Sequence, residues 1–146
     1  MKKIAISILC SLVLSNVLYA QSGVISMELQ GKTYTVSKEF PAEILGRYLY
    51  EGKGEPIVVL EKDGTGLFQR HMVPAEKIEF WIDCDENGVV RKNFRSKQEE
   101  AEGRFGYTLL YLVTEGERKG KYDLMEVRVL TDLKKLSILG ERYKPF

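Results

Sequence analysis

The sequence has few of the residues that build disulfides and metal sites. Its 146 residues include two cysteines and a single histidine. Cys10 lies in the N-terminal apolar stretch, so a domain without that stretch keeps only Cys84 and forms no internal disulfide. We expect Cys84 to be a small buried hydrophobic residue. The sequence has no Cys-x-x-Cys motif and no Cys/His cluster, and we predict no metal site and no cofactor.

The usual arrangements of catalytic residues are also missing. His71 stands between Arg70 and Met72 near the end of a predicted strand, and no Gly-x-Ser-x-Gly motif accompanies it. The carboxylates of Glu99, Glu100 and Glu102 fall in one hydrophilic run, which is typical of solvated charges. We therefore predict that the protein is not an enzyme and has no catalytic residues.

One acidic segment resembles the start of a calcium-binding loop. Asp83, Asp85 and Asn87 alternate before Gly88. The position that should supply a bidentate glutamate holds Phe94, and Asn-Gly is a common hairpin turn. We predict a turn here, followed by a return strand that begins at Val89-Val90.

The sequence has little net charge, and its N-terminus accounts for the small excess of basic residues. Lys2 and Lys3 precede an apolar stretch, Ile4–Leu14, and a more mixed region that ends at Ala20. This pattern predicts a signal peptide at residues 1–20, cleaved after Ala20. Without Lys2 and Lys3 the 22 basic residues fall to 20 against 21 acidic ones, which changes the net charge from +1 to −1. We expect no nucleic-acid partner.

The same segment predicts the localisation of the protein. The apolar stretch is too short to span a membrane, so we expect no membrane span in the mature protein. Leu9 precedes Cys10, whereas a lipid-modified cysteine normally follows a small residue, and we expect no lipid anchor. We predict an exported protein, periplasmic or secreted, with one domain at residues 21–146.

Hydrophobicity in the rest of the chain alternates with a period of two, which indicates half-buried strands. Tight turns separate the strands and leave no room for crossover helices. We predict an all-β fold, an antiparallel up-and-down β-barrel, with a two-sheet β-sandwich as the alternative. Ser96 and Glu99 have capping-box spacing, but the segment that follows lacks an apolar face, and we predict a solvated turn or loop. The predicted strands include an opening hairpin at 24–36 and segments at 46–51, 57–60, 66–72, 78–84, 105–113, 121–130 and 136–143.

Aromatic residues concentrate in these strands. The strand Phe105–Val113 is apolar on both faces, and Trp81 projects from the face opposite Phe80, so both must be covered on two sides. The pattern fits either a cavity lined by aromatic residues or a barrel filled by its own side chains. The candidate ligand-binding residues are Tyr48, Phe68, Phe80, Tyr107, Tyr111 and Met125.

Gly46-Arg47-Tyr48, which follows a predicted helical turn at Pro41–Leu45, resembles the Gly-x-Trp motif of lipocalins. Tyr48 stands in place of the tryptophan, and Arg142 is the late basic residue that would pack across it. Asp63-Gly64-Thr65-Gly66 and the segment 135–140 are similar to small lipocalin-like domains of exported bacterial proteins. The resemblance spans about Phe40 to Phe146 and implies a barrel that binds a small apolar molecule without catalysis.

Two functional hypotheses follow. In the first, an exported, non-enzymatic binding protein holds a small hydrophobic or amphipathic ligand in its barrel. In the second, the barrel is solid, and an exposed aromatic surface that includes Trp81 recruits a protein partner or a second copy of the chain.

Overall fold

The computed structural model describes residues 23–51, 54–131 and 135–145. The predicted signal peptide at residues 1–20 lies outside these ranges. Within them the chain forms ten strands, a 3₁₀ helix at Ala42–Ile44 and one short α-helix, α1, at Lys97–Ala101. The strands are β1 (Ile25–Leu29), β2 (Lys32–Ser37), β3 (Gly46–Tyr50), β4 (Ile57–Leu60), β5 (Thr65–Phe68), β6 (Glu76–Asp83), β7 (Phe105–Val113), β8 (Tyr122–Leu130), β9 (Lys135–Ile138) and β10 (Glu141–Pro145).

Eight of these strands, β3 to β10, close into an antiparallel barrel. Each strand pairs with the next one in the sequence, and β10 pairs with β3 to complete the circle. The predicted up-and-down barrel is therefore confirmed, in place of the two-sheet sandwich.

Up-and-down order gives the barrel two distinct ends. The loops after β3, β5, β7 and β9 meet at one end, here called the loop end. The other end, here called the 3₁₀ end, carries the 3₁₀ helix that precedes β3. Ile44 of this helix is fully buried, and Phe40 stacks on Phe80 with ring centroids 4.6 Å apart. These side chains cover the core at the 3₁₀ end.

The opening hairpin lies on the outside of the barrel. β2 continues the edge of β6 through the pairs Val36–Asp83 and Ser37–Ile82. Val36 packs with Trp81 and Leu110 in a second apolar cluster. The hairpin thus supplies the outer cover that the two-sided apolar strands require, and it comes from the same chain.

Three local predictions are corrected by the structure. The segment predicted as one strand at 136–143 is a hairpin, because Leu139 and Gly140 both adopt positive φ angles of 50° and 84° and reverse the chain. Val89-Val90 starts no strand: Val90 makes a single bridge to Cys84, and β7 occupies the edge of β6 instead. The segment predicted as a solvated turn or loop contains α1, whose residues are all at least partly exposed.

Candidate functional site

The six candidate ligand-binding residues come together inside the barrel. They belong to one buried cluster and are at most 4% exposed. The cluster contains Tyr48, Phe68, Phe80, Tyr107, Tyr111 and Met125, together with Tyr143 and aliphatic residues from β4, β6, β7, β8 and β9. The middle of the barrel is therefore occupied by the protein's own side chains, so the openings at its two ends decide what a ligand can reach.

Polar contacts hold the 3₁₀ end together. The Tyr107 hydroxyl donates to Glu43 Oε1 at 2.6 Å, and the Tyr48 hydroxyl donates to the Leu45 carbonyl at 3.1 Å. A groove of about 230 Å³ lies beside these contacts and includes Tyr48 in its lining. Opening this end would expose Ile44, whose burial is worth about 2 to 3 kcal/mol.

The loop end is spanned by the β5–β6 loop, residues 69–75. Around the barrel, β4 and β3 separate β5 from β10. His71 of the loop nevertheless reaches β10, where its Nε2 lies 2.7 Å from Glu141 Oε2. Its ring also meets Tyr50 edge to face, with centroids 4.9 Å apart. The loop therefore crosses part of the barrel mouth.

A pocket of about 90 Å³ lies beneath this loop. Its walls include Phe68 from β5 and Ile138 and Tyr143 from the facing strands, all three from the buried core. A second opening, of about 280 Å³, separates the β5–β6 loop from the β7–β8 loop and is lined by Arg70 and Arg118. The β5–β6 loop is thus bordered by free space on two sides.

Few contacts hold the β5–β6 loop closed. Gln69 is buried, accepts a hydrogen bond from the Ile57 N–H and donates to the Val73 carbonyl. Beyond Gln69, Val73 is half-buried and the other loop residues are exposed. Both side chains of the His71–Glu141 pair are at least 40% exposed, and exposed pairs contribute only about 0 to 1 kcal/mol. Opening the loop beyond Gln69 therefore costs little.

Met72 at the tip of this loop combines strain with exposure. Its side chain is fully exposed, and its φ angle of 63° is one that side-chain-bearing residues rarely adopt. Such a conformation costs about 1 to 2 kcal/mol. Backbone strain of this kind concentrates at ligand-binding and switching segments.

The phenols near the loop end are held in their neutral form. Burial, with the nearby Glu141 and Tyr50, raises the pKa of Tyr143 to about 12. Burial also raises the pKa of Tyr111, although a hydrogen bond with Arg118 opposes that shift. Phe68 meets Tyr111 edge to face at 5.4 Å. The site offers apolar walls and neutral hydroxyl groups.

The structure places the remaining predicted residues as follows. Trp81 is 9% exposed and packs beneath the β1–β2 hairpin, so its indole contacts its own chain. Gly46 has a φ angle of 143°, and a Cβ there would approach the Tyr48 hydroxyl at 3.4 Å. Arg142 does not pack across Tyr48, because it alternates with the inward-facing Tyr143 and lies on the outer wall while Tyr48 lies inside.

The acidic segment near Cys84 forms the predicted turn. Asp85 Oδ1 accepts hydrogen bonds from the Asn87 and Val89 N–H groups at 2.8 and 2.9 Å, which assigns this carboxylate to the turn. Burial raises the pKa of the neighbouring Cys84 thiol. Across the described residues, no group of three or more His, Cys, Asp or Glu side chains is placed to hold a metal ion.

Sequence reasoning missed several residues of the loop end. Tyr143 was placed in a strand but not among the ligand-binding candidates, although its alternation with Arg142 and Lys144 marks it as inward-facing. His71 is exposed, and its partner Glu141 lies 70 residues away in the sequence. No local pattern indicates that pairing.

Comparison with family models, curated proteins and solved structures finds no match to this chain. The closed eight-stranded barrel is consistent with the lipocalin resemblance of its sequence. Neither helix in the described ranges is long and apolar enough to cross a membrane.

Proposed function

We propose that the protein is an exported, non-enzymatic binding protein that takes a small hydrophobic or amphipathic molecule into the loop end of its barrel. One observation carries the proposal: the β5–β6 loop crosses a pocket walled by core residues, yet beyond Gln69 it is largely exposed and is held to β10 by an exposed pair. Export rests on the signal-peptide pattern of residues 1–20.

The chemistry of the pocket indicates the class of ligand. Phe68, Ile138 and Tyr143 provide apolar surface, and burial of such surface drives the binding of small apolar molecules. The pocket of about 90 Å³ is too small for a complete ligand. Binding therefore requires the β5–β6 loop to move outward and join the pocket to the neighbouring opening.

Nile red, an uncharged dye whose fluorescence rises in apolar surroundings, tests the proposal. Purified protein should bind the dye saturably at one site. Phe68→Leu enlarges the pocket and should tighten binding several-fold. Phe80→Leu makes the same change near the 3₁₀ end, away from this pocket, and should leave the affinity unchanged.

A second pair of variants tests the role of the loop. His71→Ala removes the contact to Glu141 and should speed dye association by several-fold. Glu79→Ala is the control, because it removes another exposed pair, Lys38–Glu79, on the outer wall. Absence of saturable binding, or equal responses to Phe68→Leu and Phe80→Leu, would contradict the proposal.

Native mass spectrometry of protein purified from the envelope fraction of its own host would identify the ligand class. We expect a reproducible extra mass that is lost on denaturation, on a chain that begins at residue 21. A chain that retains residues 1–20 would contradict the export part of the proposal alone.

A further inference from the structure

A row of side chains on the outer wall of the barrel forms a polar pocket that is separate from the pocket beneath the β5–β6 loop. Arg128 of β8, Ser137 of β9 and Arg142 of β10 are partners in register across three neighbouring strands. Neighbouring strands lie about 4.8 Å apart, so the two arginines flank a notch above the small serine.

The connection between β6 and β7 covers one side of this notch. Asn93 pairs with Gly106, which holds the connection against β7. Arg95 and Arg104, on either side of α1, then face the same pocket of about 230 Å³ as Arg128 and Arg142. Four guanidinium groups from three parts of the chain therefore converge on one place.

The backbone leaves room for this arrangement. Gly106 faces Arg128 across the β7–β8 pair, and a Cβ at Gly106 would lie 2.8 Å from Arg128 Nη1. A larger residue at that position would therefore displace the guanidinium group. With glycine at position 106, the Arg128 side chain is only 4% exposed and still lines the pocket.

The charges of the pocket are unevenly balanced. Its lining has four arginines and one carboxylate, Glu99. Glu99 and Glu126 pair with Arg128, Glu126 also pairs with Arg95, and Glu102 pairs with Arg104. Arg142 has no carboxylate partner among the described residues. A bound anion would supply that partner.

We propose that this pocket, formed by Arg95, Arg104, Arg128, Ser137 and Arg142, binds a phosphate monoester group. Arginine side chains line the pocket from β8, from β10 and from both sides of α1, and Ser137 lies between Arg128 and Arg142 in the strand register. A phosphate group has enough oxygen atoms to accept hydrogen bonds from donors on several sides at once, whereas a carboxylate has only two oxygen atoms. Guanidinium groups pair with phosphate through two parallel hydrogen bonds, which favours arginine over lysine in such a site.

Calorimetric titration with inorganic phosphate tests this site. We expect saturable binding of one phosphate per chain. Arg142→Ala should weaken it by roughly tenfold or more, since a charge-assisted bond to the anion is lost. Lys144→Ala removes the same charge from the same strand without touching the pocket and should change the affinity by less than about twofold.

A variant without a charge change separates a built site from general attraction to a basic surface. Ser137→Val fills the notch and removes the hydroxyl, so phosphate binding should weaken although the net charge is unchanged. Circular dichroism checks that both variants keep the barrel. Phosphate binding that is absent, or that falls equally in Lys144→Ala and Arg142→Ala, overturns the proposal.

The monoester can belong to a soluble molecule or to a lipid headgroup, and sedimentation with vesicles distinguishes the two. Sedimentation with phosphatidic acid vesicles but not with phosphatidylcholine vesicles, lost in Arg142→Ala, assigns the site to the headgroup. Phosphate binding without sedimentation assigns it to a soluble phosphorylated molecule. Nile red binding reports on the loop end only, so the two proposals fail independently.

Discussion

At the scale of single residues, close backbone contacts decide which positions tolerate change. Gly66 of β5 is such a position: a Cβ there would come within 2.0 Å of the Val59 carbonyl oxygen on β4. Real side chains do not approach a backbone oxygen this closely, so any larger residue must push the two strands apart.

We expect Gly66→Ala to lower the free energy of unfolding by about 2 to 3 kcal/mol through this overpacking. Gly54→Ala is the control, because nothing lies within 4 Å of a Cβ there. It should change stability by less than about 0.5 kcal/mol. Urea denaturation measures both, and equal effects of the two changes would contradict the contact.

A buried charge sets a second requirement at this scale. Glu99 accepts a hydrogen bond from the Arg95 N–H at 2.9 Å and one from Arg128 Nη2, whose side chain is almost fully buried. Its neighbour Glu100 is exposed. The two glutamates of α1 therefore differ in their contributions to stability.

Glu99→Ala should destabilise the protein by about 2 kcal/mol, because hydrogen bonds to charged groups contribute about 1.5 to 3 kcal/mol. Glu100→Ala should stay within about 0.5 kcal/mol of the parent protein. Thermal unfolding distinguishes the two. A Glu100→Ala effect as large as that of Glu99→Ala would contradict the contribution assigned to the pair of Glu99 with Arg128.

At the scale of elements, the β1–β2 hairpin acts as a cover for the barrel wall. Met27 faces the apolar cluster around Trp81, while its neighbour Ser26 faces solvent. Trp81 is the single tryptophan of the chain, so its fluorescence reports on this cover alone.

We expect Met27→Asp to place an unpaired charge against the cluster and loosen the hairpin. Trp81 emission should then shift to longer wavelength, while the far-ultraviolet circular dichroism of the barrel changes little. Ser26→Asp introduces the same charge on the exposed face and should leave the emission unchanged. An unshifted spectrum in Met27→Asp would show that the hairpin is not what shields Trp81.

At the scale of the whole molecule, buried tyrosines link stability to pH. Burial raises the pKa of Tyr48 to about 12, and burial with a hydrogen bond to Glu43 raises that of Tyr107. Tyr143 also has a pKa of about 12. In the unfolded chain these phenols ionise near pH 10, so above that pH the unfolded state binds fewer protons than the folded state.

Stability should therefore be complete below about pH 10 and fall as the pH rises toward about 12. Tyr143→Phe removes one of these ionising groups and should flatten the decline. Tyr122→Phe, at an exposed position, should leave it unchanged. Urea denaturation across this range measures the slope, and identical slopes for the two variants would contradict a role for buried Tyr143.

The sequence by itself determined the all-β fold class and most of the strands. Alternating hydrophobicity and turn residues depend on neighbours a few positions apart, and these patterns predicted the opening hairpin and the inward face of β6 correctly. The β9–β10 turn escaped prediction because Leu139 adopts a positive φ angle that leucine rarely takes. Local patterns therefore predict the positions of short strands correctly unless a residue adopts a backbone conformation that is rare for its type.

Only the tertiary structure decided which loops meet and which side chains far apart in the sequence contact each other. Tyr107 bonds to Glu43 across 64 residues, His71 to Glu141 across 70 and Arg128 to Glu99 across 29. These contacts depend on how the barrel closes, and residue spacing carries no information about them. Such contacts bring together the residues that line the candidate pocket at the loop end and the arginine pocket on the outer wall. The sequence therefore predicts a barrel, whereas closure of the barrel assembles the two candidate pockets.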